Sequence, residues 1–256
     1  MTKKELKEFL DLKAGQYEHL DFIQEDPILI PHAFVAKEDI EISGFLTAAI
    51  AWGQRKTIIN NARELMELMD DRPHAFLMTM QDGDLDRFTN FVHRTFNGVD
   101  CQFFISRLSK LYKDGRGLEG SLGLAVEKHG TGEGISRFKE ELFQGHFQTR
   151  SLKHMADPLR GSSAKRINMY LRWMIRSNDK GVDFGLWKNI SPAQLSIPLD
   201  VHTGNVARSL KLLKRRQNDW KAVEELDGIL RRFDKRDPVK YDFALFGLGV
   251  NEDWDY

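Results

Sequence analysis

The sequence predicts an all-α protein, and three observations carry this prediction. Apolar residues recur at helical spacing along most of the chain, as in Ile50, Ile58, Leu65, Leu68 and Met69. No segment shows the strict alternation of apolar and polar residues that marks a half-buried strand. The seven prolines fall between the periodic stretches, where they begin or end helices. At typical helix lengths the chain accommodates about ten helices.

Composition sets the broad class of protein. The chain has 256 residues, of which 41% are hydrophobic, enough to bury the core of one large or two small domains. Its 38 Lys plus Arg balance its 38 Asp plus Glu, so any nucleic-acid contact depends on a local basic patch. The N-terminus is charged throughout, and no long apolar run is present. We therefore expect a soluble cytoplasmic protein without a membrane partner.

The single cysteine, Cys101, limits the cofactors that one chain can hold. One thiol excludes an internal disulfide and a cysteine-ligated zinc or iron–sulfur centre within one chain. The eight histidines show no HExxH or comparable spacing, so a metal-dependent hydrolase is the less favoured alternative. We expect neither a metal nor another cofactor.

A glycine-rich stretch over residues 113–138 resembles a phosphate-binding loop only superficially. It lacks the GxxxxGK[ST] pattern, and no predicted strand precedes it. We predict turns around a short helix in this region.

The stretch LRGSSAKRINMYLRWMIR, residues 159–176, predicts a tight bend followed by a helix. Asp157 and Pro158 form a turn, the small residues that follow form the bend, and the helix begins near Ala164. Backbone N–H groups exposed at a helix start are suited to bind a phosphate oxygen.

Lys165 lies in the first turn of this predicted helix. The positive end of the helix dipole disfavours a charged ammonium there, and a neutral amine is a nucleophile capable of Schiff-base chemistry. The alternative is a solvated lysine that holds phosphate or only keeps the surface polar. Lys165, Met169, Arg172 and Arg176 share one helical stripe, which is positioned to meet an anionic ligand.

A second informative stretch, SIPLDVHTGNVARSLKLLKRR, covers residues 196–216. Asp200 is predicted to cap a helix whose buried stripe contains Val206, Leu210 and Leu213. A carboxylate at the mouth of a cleft also stabilises a cationic sugar during glycosidic cleavage. The basic run at the end of this stretch is either a polyanion-binding patch or a solvated helix end.

Together the two stretches resemble the helix-hairpin-helix DNA glycosylase superfamily, which includes endonuclease III and the archaeal 8-oxoguanine glycosylases. Leu159, Gly161 and Lys165 match the family's L-P-G-hydrophobic-G-x-K-T-A hairpin, and PLDVHTGNVARSL matches its V-D-T-H motif at Asp200 and His202. Residues 48–68 look like the family's early helix pair. Gln54 falls where endonuclease III has a glutamine that probes the gap left by a flipped base.

The chain also departs from the family pattern. Arg160 replaces the hairpin proline and Ser163 replaces its second glycine, so the backbone is less free to approach a phosphate. The four-cysteine iron–sulfur loop is absent. The 35-position separation of the lysine and the aspartate is closer to that of the archaeal enzymes. The whole chain, including residues 236–250, looks like a bacterial family of unknown function related distantly to these glycosylases.

The resemblance implies two helical lobes with a helix-hairpin-helix motif at the cleft between them. Residues 44–178 would form a barrel lobe ending in the hairpin, and residues 1–43 plus 179–256 a second lobe carrying the catalytic aspartate. The cleft would bring Lys165 and Asp200 face to face.

The resemblance also implies a function, a base-excision DNA glycosylase with abasic-site lyase activity. Lys165 would attack C1′ and Asp200 would stabilise the cationic sugar. The implied DNA contacts are Gly161, Ser162, Ser163, Gln54, Arg172, Arg208, Lys211 and Lys214. The candidates for the base pocket are Trp52, Trp173, Trp187 and His202, for which the alternatives are core packing or a hydrogen bond at a helix start.

The expected partner is duplex DNA with a damaged base or an abasic site, bound by a monomer. 8-Oxoguanine is the leading lesion, while pyrimidine damage, alkylated bases and abasic sites remain open. The alternative function is a catalytically silent protein that uses the hairpin to grip phosphates.

Overall fold

The structure, a computed structural model, describes residues 1–145 and 149–252 and is helical almost throughout. The α-helices are α1 (Lys3–Tyr17), α2 (Asp21–Gln24), α3 (Lys37–Ala49), α4 (Arg55–Glu67), α5 (Pro73–Thr79), α6 (Gly98–Lys113), α7 (Leu124–His129), α8 (Thr131–Phe143), α9 (Lys165–Ile175), α10 (Val201–Ser209), α11 (Trp220–Phe233) and α12 (Tyr241–Asn251). A single antiparallel hairpin pairs β1 (Val92–His93) with β2 (Phe96–Asn97). The all-α prediction is confirmed, with this small hairpin as the exception within the described ranges.

Short turns of tighter or wider helix connect the α-helices. The 3₁₀ turns are Pro27–Leu29, Pro31–Ala33, Asp82–Phe88, Thr149–His154, Pro158–Arg160, Pro192–Gln194 and Pro238–Lys240, and Glu119–Gly123 is a π turn. Proline opens α5 and five of the 3₁₀ turns, because its fixed φ suits a helix start and its missing N–H has no partner there. In the glycine-rich region the short helix α7 is present, but the predicted turns are confined to residues 114–116 and to Gly130, because the π turn runs directly into α7 and α8 begins at Thr131.

Helices α3 and α9 lie at the centre of the core. All residues of α3 from Ile40 to its end are buried, and the ring of Tyr170 on α9 packs where Gly44 lacks a side chain. The Tyr170 hydroxyl donates to the carbonyl of Glu41 at 3.1 Å. This central position fixes α9, so that its N-terminal end is presented from a rigid core.

The N-terminal and C-terminal helices pack together, since α1 contacts α12 and α12 contacts α10. Helix α3 runs through residue 44, where the resemblance places a lobe boundary. The division into lobes 44–178 and 1–43 plus 179–256 therefore stays a prediction. None of the helices described is both long and apolar enough to cross a membrane.

The thiol of Cys101 is fully buried on α6 among apolar neighbours. Burial raises its pKa well above the ordinary range, since the charged thiolate is disfavoured away from water. The thiol is therefore inert in the folded protein.

Arg172 on α9 and Arg176, the residue that ends this helix, form buried ion pairs. Arg172 Nε lies 3.3 Å from Asp183 Oδ1, and its guanidinium also donates to Asp242. Arg176 Nη1 lies 2.9 Å from the other oxygen of Asp183 and also donates to Glu18. Asp183 thus joins both guanidinium groups, and its side chain has no exposed area.

Removal of this shared carboxylate leaves two buried cations without a common partner. We expect Asp183→Ala to lower the free energy of unfolding by about 3–5 kcal/mol, as measured by urea denaturation. The control Asp179→Ala, at an exposed position, should change it by less than about 0.5 kcal/mol. Equal small losses in both variants would contradict the structural role of Asp183.

Candidate functional site

A cleft with a volume of about 640 Å³ opens at the N-terminal ends of α4, α9 and α10. This volume is in the range of small-ligand sites. Its lining combines apolar and ionisable side chains: Phe22, Asp26, Pro27, Ala51, Trp52, Gly53, Arg55, Ile58, Lys165, Arg166, Met169, Arg172, Pro198, Asp200, Val201, His202, Asp242, Phe246, Gly249 and Val250.

The chain reverses sharply before it presents Lys165. Gly161 adopts a left-handed conformation with φ of 90°, and Ala164 does so with φ of 50°. The hydroxyl of Ser162 accepts from the N–H of Ala164 at 3.2 Å. α9 then begins at Lys165, which confirms the predicted helix start and places this side chain at the cleft.

The turn before α9 is an exposed rim of the protein. Leu159 is 69% exposed, and the Arg160 side chain is 87% exposed. Gly161 and Ser162 are exposed as well, whereas Ser163 is half-buried. The bend predicted from the small residues is therefore available to a large partner.

Asp200 caps α10, as predicted. Its Oδ1 accepts from the N–H of Thr203 at 2.9 Å. Its Oδ2 lies 3.9 Å from Lys165 Nζ, and the two side chains are 21% and 29% exposed. One oxygen therefore holds the helix start while the other faces the amine across the cleft.

Two further carboxyl groups line the cleft. Asp26 Oδ1 accepts from the N–H of Ile28 at 3.0 Å, and burial raises the pKa of Asp26 although nearby cations oppose this. Burial also raises the pKa of Asp242 to about 6, against the attraction of Arg172. Asp242 stands out in the sequence because it is a charged residue within the apolar run of α12, whereas no comparable pattern marks Asp26.

Trp52 forms one wall of the cleft and is held on several sides. The guanidinium of Arg166 lies 4.7 Å from its ring centroid, and the ring of His154 stacks on it at 5.8 Å. Asn61 donates to His93 Nδ1 at 3.1 Å, so His93 Nε2 carries the proton and donates to the Trp52 carbonyl at 3.0 Å. Burial lowers the pKa of Arg166 to about 10 and also lowers that of His93.

The structure separates the predicted pocket residues into two groups. Trp52 and His202 line the cleft. Trp173 and Trp187 are core residues with no exposed area, so the prediction that they line the pocket is wrong. The indole of Trp187 instead donates to the buried carboxylate of Glu41 at 2.7 Å.

The predicted DNA contacts are also divided. The prediction is wrong for Arg172, which is 3% exposed and committed to buried carboxylates. For Arg208 it stays a prediction: the side chain is half-buried, its Nε donates to the Arg215 carbonyl at 2.8 Å, and its Nη2 donates to Asn218. The Arg172 guanidinium therefore stabilises the fold and is not free to bind phosphate.

The remaining predicted contacts are on the surface. Gln54 is exposed at the start of α4, next to cleft-lining residues. Lys211 and Lys214 are exposed after α10. Arg216, which follows them, is also exposed but was not among the predicted DNA contacts. Glu225 accepts from the N–H of Lys214 at 2.7 Å, so this basic segment is held in place.

Comparison with known protein families assigns the chain. Residues 26–251 match the model of a family described as protein of unknown function, DUF2400. The chain belongs to the DUF2400 family. No curated protein and no solved structure matches it. The cleft residues from Asp26 to Val250 lie within the DUF2400 match, and the cleft residue Phe22 lies before it.

Among the described residues of this DUF2400 protein, no group of three or more His, Cys, Asp or Glu side chains has an arrangement that could hold a metal ion. The carboxyl groups of the cleft instead face cations. The charges of Lys165 and Arg172 favour the ionised form of Asp242 and so act to lower its pKa. The same two cations and Arg55 act in the same way on Asp26.

A buried aspartate of α11 supports the segment that leads to Asp200 in the DUF2400 chain. Asp227 is 3% exposed, and its Oδ1 accepts from the N–H of Ile197 at 2.9 Å. Burial raises the pKa of Asp227 to about 6. The approach to the α10 cap is therefore sensitive to the ionisation of this group.

This raised pKa predicts a pH-dependent stability. Between about pH 4 and 6 the folded state binds more protons at Asp227 than the unfolded state, so this group's contribution to stability falls as the pH rises. Asp227→Asn keeps an acceptor for Ile197 but cannot titrate. From pH 4 to 7 the variant should gain on the order of 2 kcal/mol relative to the parent protein, measured by urea unfolding. A stability difference that is independent of pH would contradict this prediction.

Proposed function

We propose that this DUF2400 protein is a DNA glycosylase with abasic-site lyase activity, in which Lys165 is the nucleophile. The observation that carries the proposal is the 3.9 Å separation of Lys165 Nζ and Asp200 Oδ2 within a cleft of about 640 Å³. An amine and a carboxylate at this distance suit attack on a sugar carbon that becomes positively charged.

The proposed reaction begins with an everted nucleotide in the cleft. The amine of Lys165 forms a bond to C1′, while the C1′–N bond breaks and its electron pair leaves with the base, which takes up the proton released by the newly bonded nitrogen. Asp200 stabilises the positive charge on the sugar. Ring opening, with proton transfer from nitrogen to O4′, gives a Schiff base, and loss of a C2′ proton expels the 3′ phosphate.

The walls of the cleft support binding of a flat, partly apolar group. Trp52, Met169 and Phe246 offer apolar surface around the ionisable groups. Flipped bases are commonly held by stacking and by hydrogen bonds to their polar edge. Arg55 lies 5.1 Å from the ring centroid of Phe246, so a cation stands beside the apolar lining of the cleft.

The turn before α9 supports binding of a DNA phosphate. Within the described chain, no side chain caps the first turn of α9, and we expect N–H groups of this turn to donate to a bound phosphate oxygen. The neighbouring positions 159–162 are exposed. A phosphate bound there would lie beside Lys165, which begins the same helix.

Covalent trapping tests this proposal. Purified protein should form a borohydride-stable adduct with an abasic duplex and with at least one duplex from a panel carrying 8-oxoguanine, oxidised pyrimidines or alkylated bases. The reduced Schiff base is detected as a protein–DNA species on a denaturing gel. Salt-dependent DNA binding without any adduct or strand cleavage would favour the catalytically silent binder.

Salt dependence tests the DNA-binding face. Lys214 and Arg216 are exposed on the segment between α10 and α11, and we expect each to neutralise one phosphate. Lys214→Ala and Arg216→Ala should each weaken binding uniformly across sequences and reduce the slope of log K against log salt by about 1. The control Lys110→Ala, on α6 outside the cleft, should leave the slope unchanged. Equal slopes for all three variants would exclude this face.

A further inference from the structure

Three consecutive residues before and at the start of α11 join the two sides of the candidate site. The N–H of Trp220 donates to the carbonyl of Gly161 at 3.1 Å, and Asp219 forms an antiparallel bridge with Ser162. Asn218 Nδ2 donates to the carbonyl of Asp200 at 2.9 Å. The segment 218–220 therefore contacts both the turn that precedes Lys165 and the residue that carries the carboxylate.

The side chain of Asn218 is closely surrounded by its neighbours. Its Oδ1 accepts from Arg208 Nη2, and Arg208 Nε is held by the carbonyl of Arg215. A Cβ atom at Gly204 would lie 2.7 Å from Asn218 Oδ1, closer than side chains tolerate. Glycine at position 204 therefore makes room for Asn218 beside α10.

The other two residues of the segment are fixed as firmly. Asp219 caps α11 by accepting from the N–H of Ala222 at 3.1 Å, and it accepts from Arg215 Nε at 2.6 Å. The hydrogen bond from Arg215 lowers the pKa of Asp219 to about 2. The indole of Trp220 packs where Gly132 has no side chain, since a Cβ there would lie 2.6 Å from the ring. The segment is thus a rigid support.

The distance between the two candidate catalytic groups is not set by direct bonding. Lys165 Nζ and Asp200 Oδ2 are 3.9 Å apart, which is beyond a hydrogen bond. Asn168 provides one backbone link between the two sides, because its Nδ2 lies 3.1 Å from the Ser163 carbonyl and 3.5 Å from that of Ile197. The link at Asp200 itself is made by Asn218.

We propose that Asn218 is a positioning residue that ties Asp200 to the phosphate-binding turn and so sets the separation of its carboxylate from Lys165. This inference rests on the proposed function. It assigns a chemical task to a residue that does not line the cleft and lies outside the motifs of the sequence. A displacement of about 1 Å at a reacting group costs about 10²-fold in rate, so loss of this tie has a measurable effect on chemistry.

Single-turnover trapping on an abasic duplex, with protein in saturating excess, tests the inference. Asn218→Ala should lower the rate constant for adduct formation by about 10- to 100-fold. Its affinity for the duplex, measured by fluorescence anisotropy, should stay within about threefold, since the exposed cations are untouched. A merely structural defect would lower the amplitude of trapping by unfolding part of the protein, but not its rate constant.

Two further variants sharpen this test. Gln217→Ala is the matched control, because its exposed side chain only accepts from Arg215, and its rate constant should stay within about twofold. Gly204→Ala should act in the same direction as Asn218→Ala, since the added methyl group displaces the Asn218 side chain. The double variant should be no slower than the slower single variant, which is the signature of a shared mechanism.

The possible outcomes separate the two proposals. If the parent protein forms the adduct and Asn218→Ala forms it at a similar rate constant, the positioning role is overturned while the proposed function stands. Additive losses in the double variant would also overturn it. If the parent protein traps no abasic or lesion-bearing duplex, the proposed function fails and the positioning role fails with it.

Discussion

Lys165→Gln is expected to abolish the borohydride adduct with an abasic duplex, a loss of about 10³-fold or more in trapping rate. Glutamine keeps much of the length of the lysine side chain but cannot form an imine. DNA affinity should change little, because one partly exposed cation is removed from a larger basic face. The measurement is the yield of cross-linked species on a denaturing gel.

The matched control for this variant is Lys56→Gln. Lys56 is exposed on α4 and is adjacent in sequence to the cleft-lining Arg55. The Lys56→Gln substitution therefore removes the same charge near the same site. Its adduct yield should equal that of the parent protein. An undiminished adduct in the Lys165 variant would assign the nucleophile to a different amine.

Asp200→Asn is expected to slow adduct formation by about 10²-fold while leaving stability nearly unchanged. Asparagine still accepts from the N–H of Thr203 and therefore still caps α10. It no longer supplies the negative charge that faces Lys165 and stabilises a cationic sugar. Single-turnover trapping gives the rate, and thermal unfolding gives the stability.

A second substitution at the same position separates the two tasks of Asp200. Asp200→Ala should be as slow as Asp200→Asn but also less stable by about 1 kcal/mol, because the cap is lost. A parent-like rate in the asparagine variant would show that the carboxylate is not required. If both assignments hold, the rate loss therefore appears in both variants, and the stability loss appears only in Asp200→Ala.

The sequence predicts the features of this protein that depend on neighbouring residues. The start of α9 after Ala164 and the cap of α10 at Asp200 both follow from local turn and capping chemistry, and both are confirmed. The close approach of Lys165 and Asp200 has no local cause, because the residues are far apart in the chain. It was implied only by the resemblance between the two motifs and a known family.

The incorrect assignments of Arg172 and Trp173 have a common physical origin in α9. The predicted stripe of ligand-facing residues requires one exposed face on the helix, but α9 is buried from Ile167 to Ile175 on all sides. Arg172 therefore points into the protein, where Asp183 and Asp242 from distant segments supply its counter-charges. Trp173 is buried for the same reason. No pattern within the helix distinguishes such an arginine from a surface one.

Other site residues have roles that only the folded chain creates. Asp26 reaches the cleft from the segment before α3, and nothing in its neighbours indicates this position. Asn218 contacts Asp200 because the chain, after leaving the C-terminal end of α10, returns to the N-terminal end of the same helix. Polar residues in connecting segments are common, so their tasks become visible only through their long-range hydrogen bonds.

The inert thiol of Cys101 makes the protein suitable for spectroscopic labelling. Because the sequence holds one cysteine, and that cysteine is buried, thiol-reactive probes should not react with the unaltered protein. Leu159→Cys in the turn before α9 and Val201→Cys at the start of α10, at positions 69% and 63% exposed, would accept a pair of spin labels or fluorophores. The opening of the cleft in solution then becomes an interprobe distance, recorded before and after DNA is added.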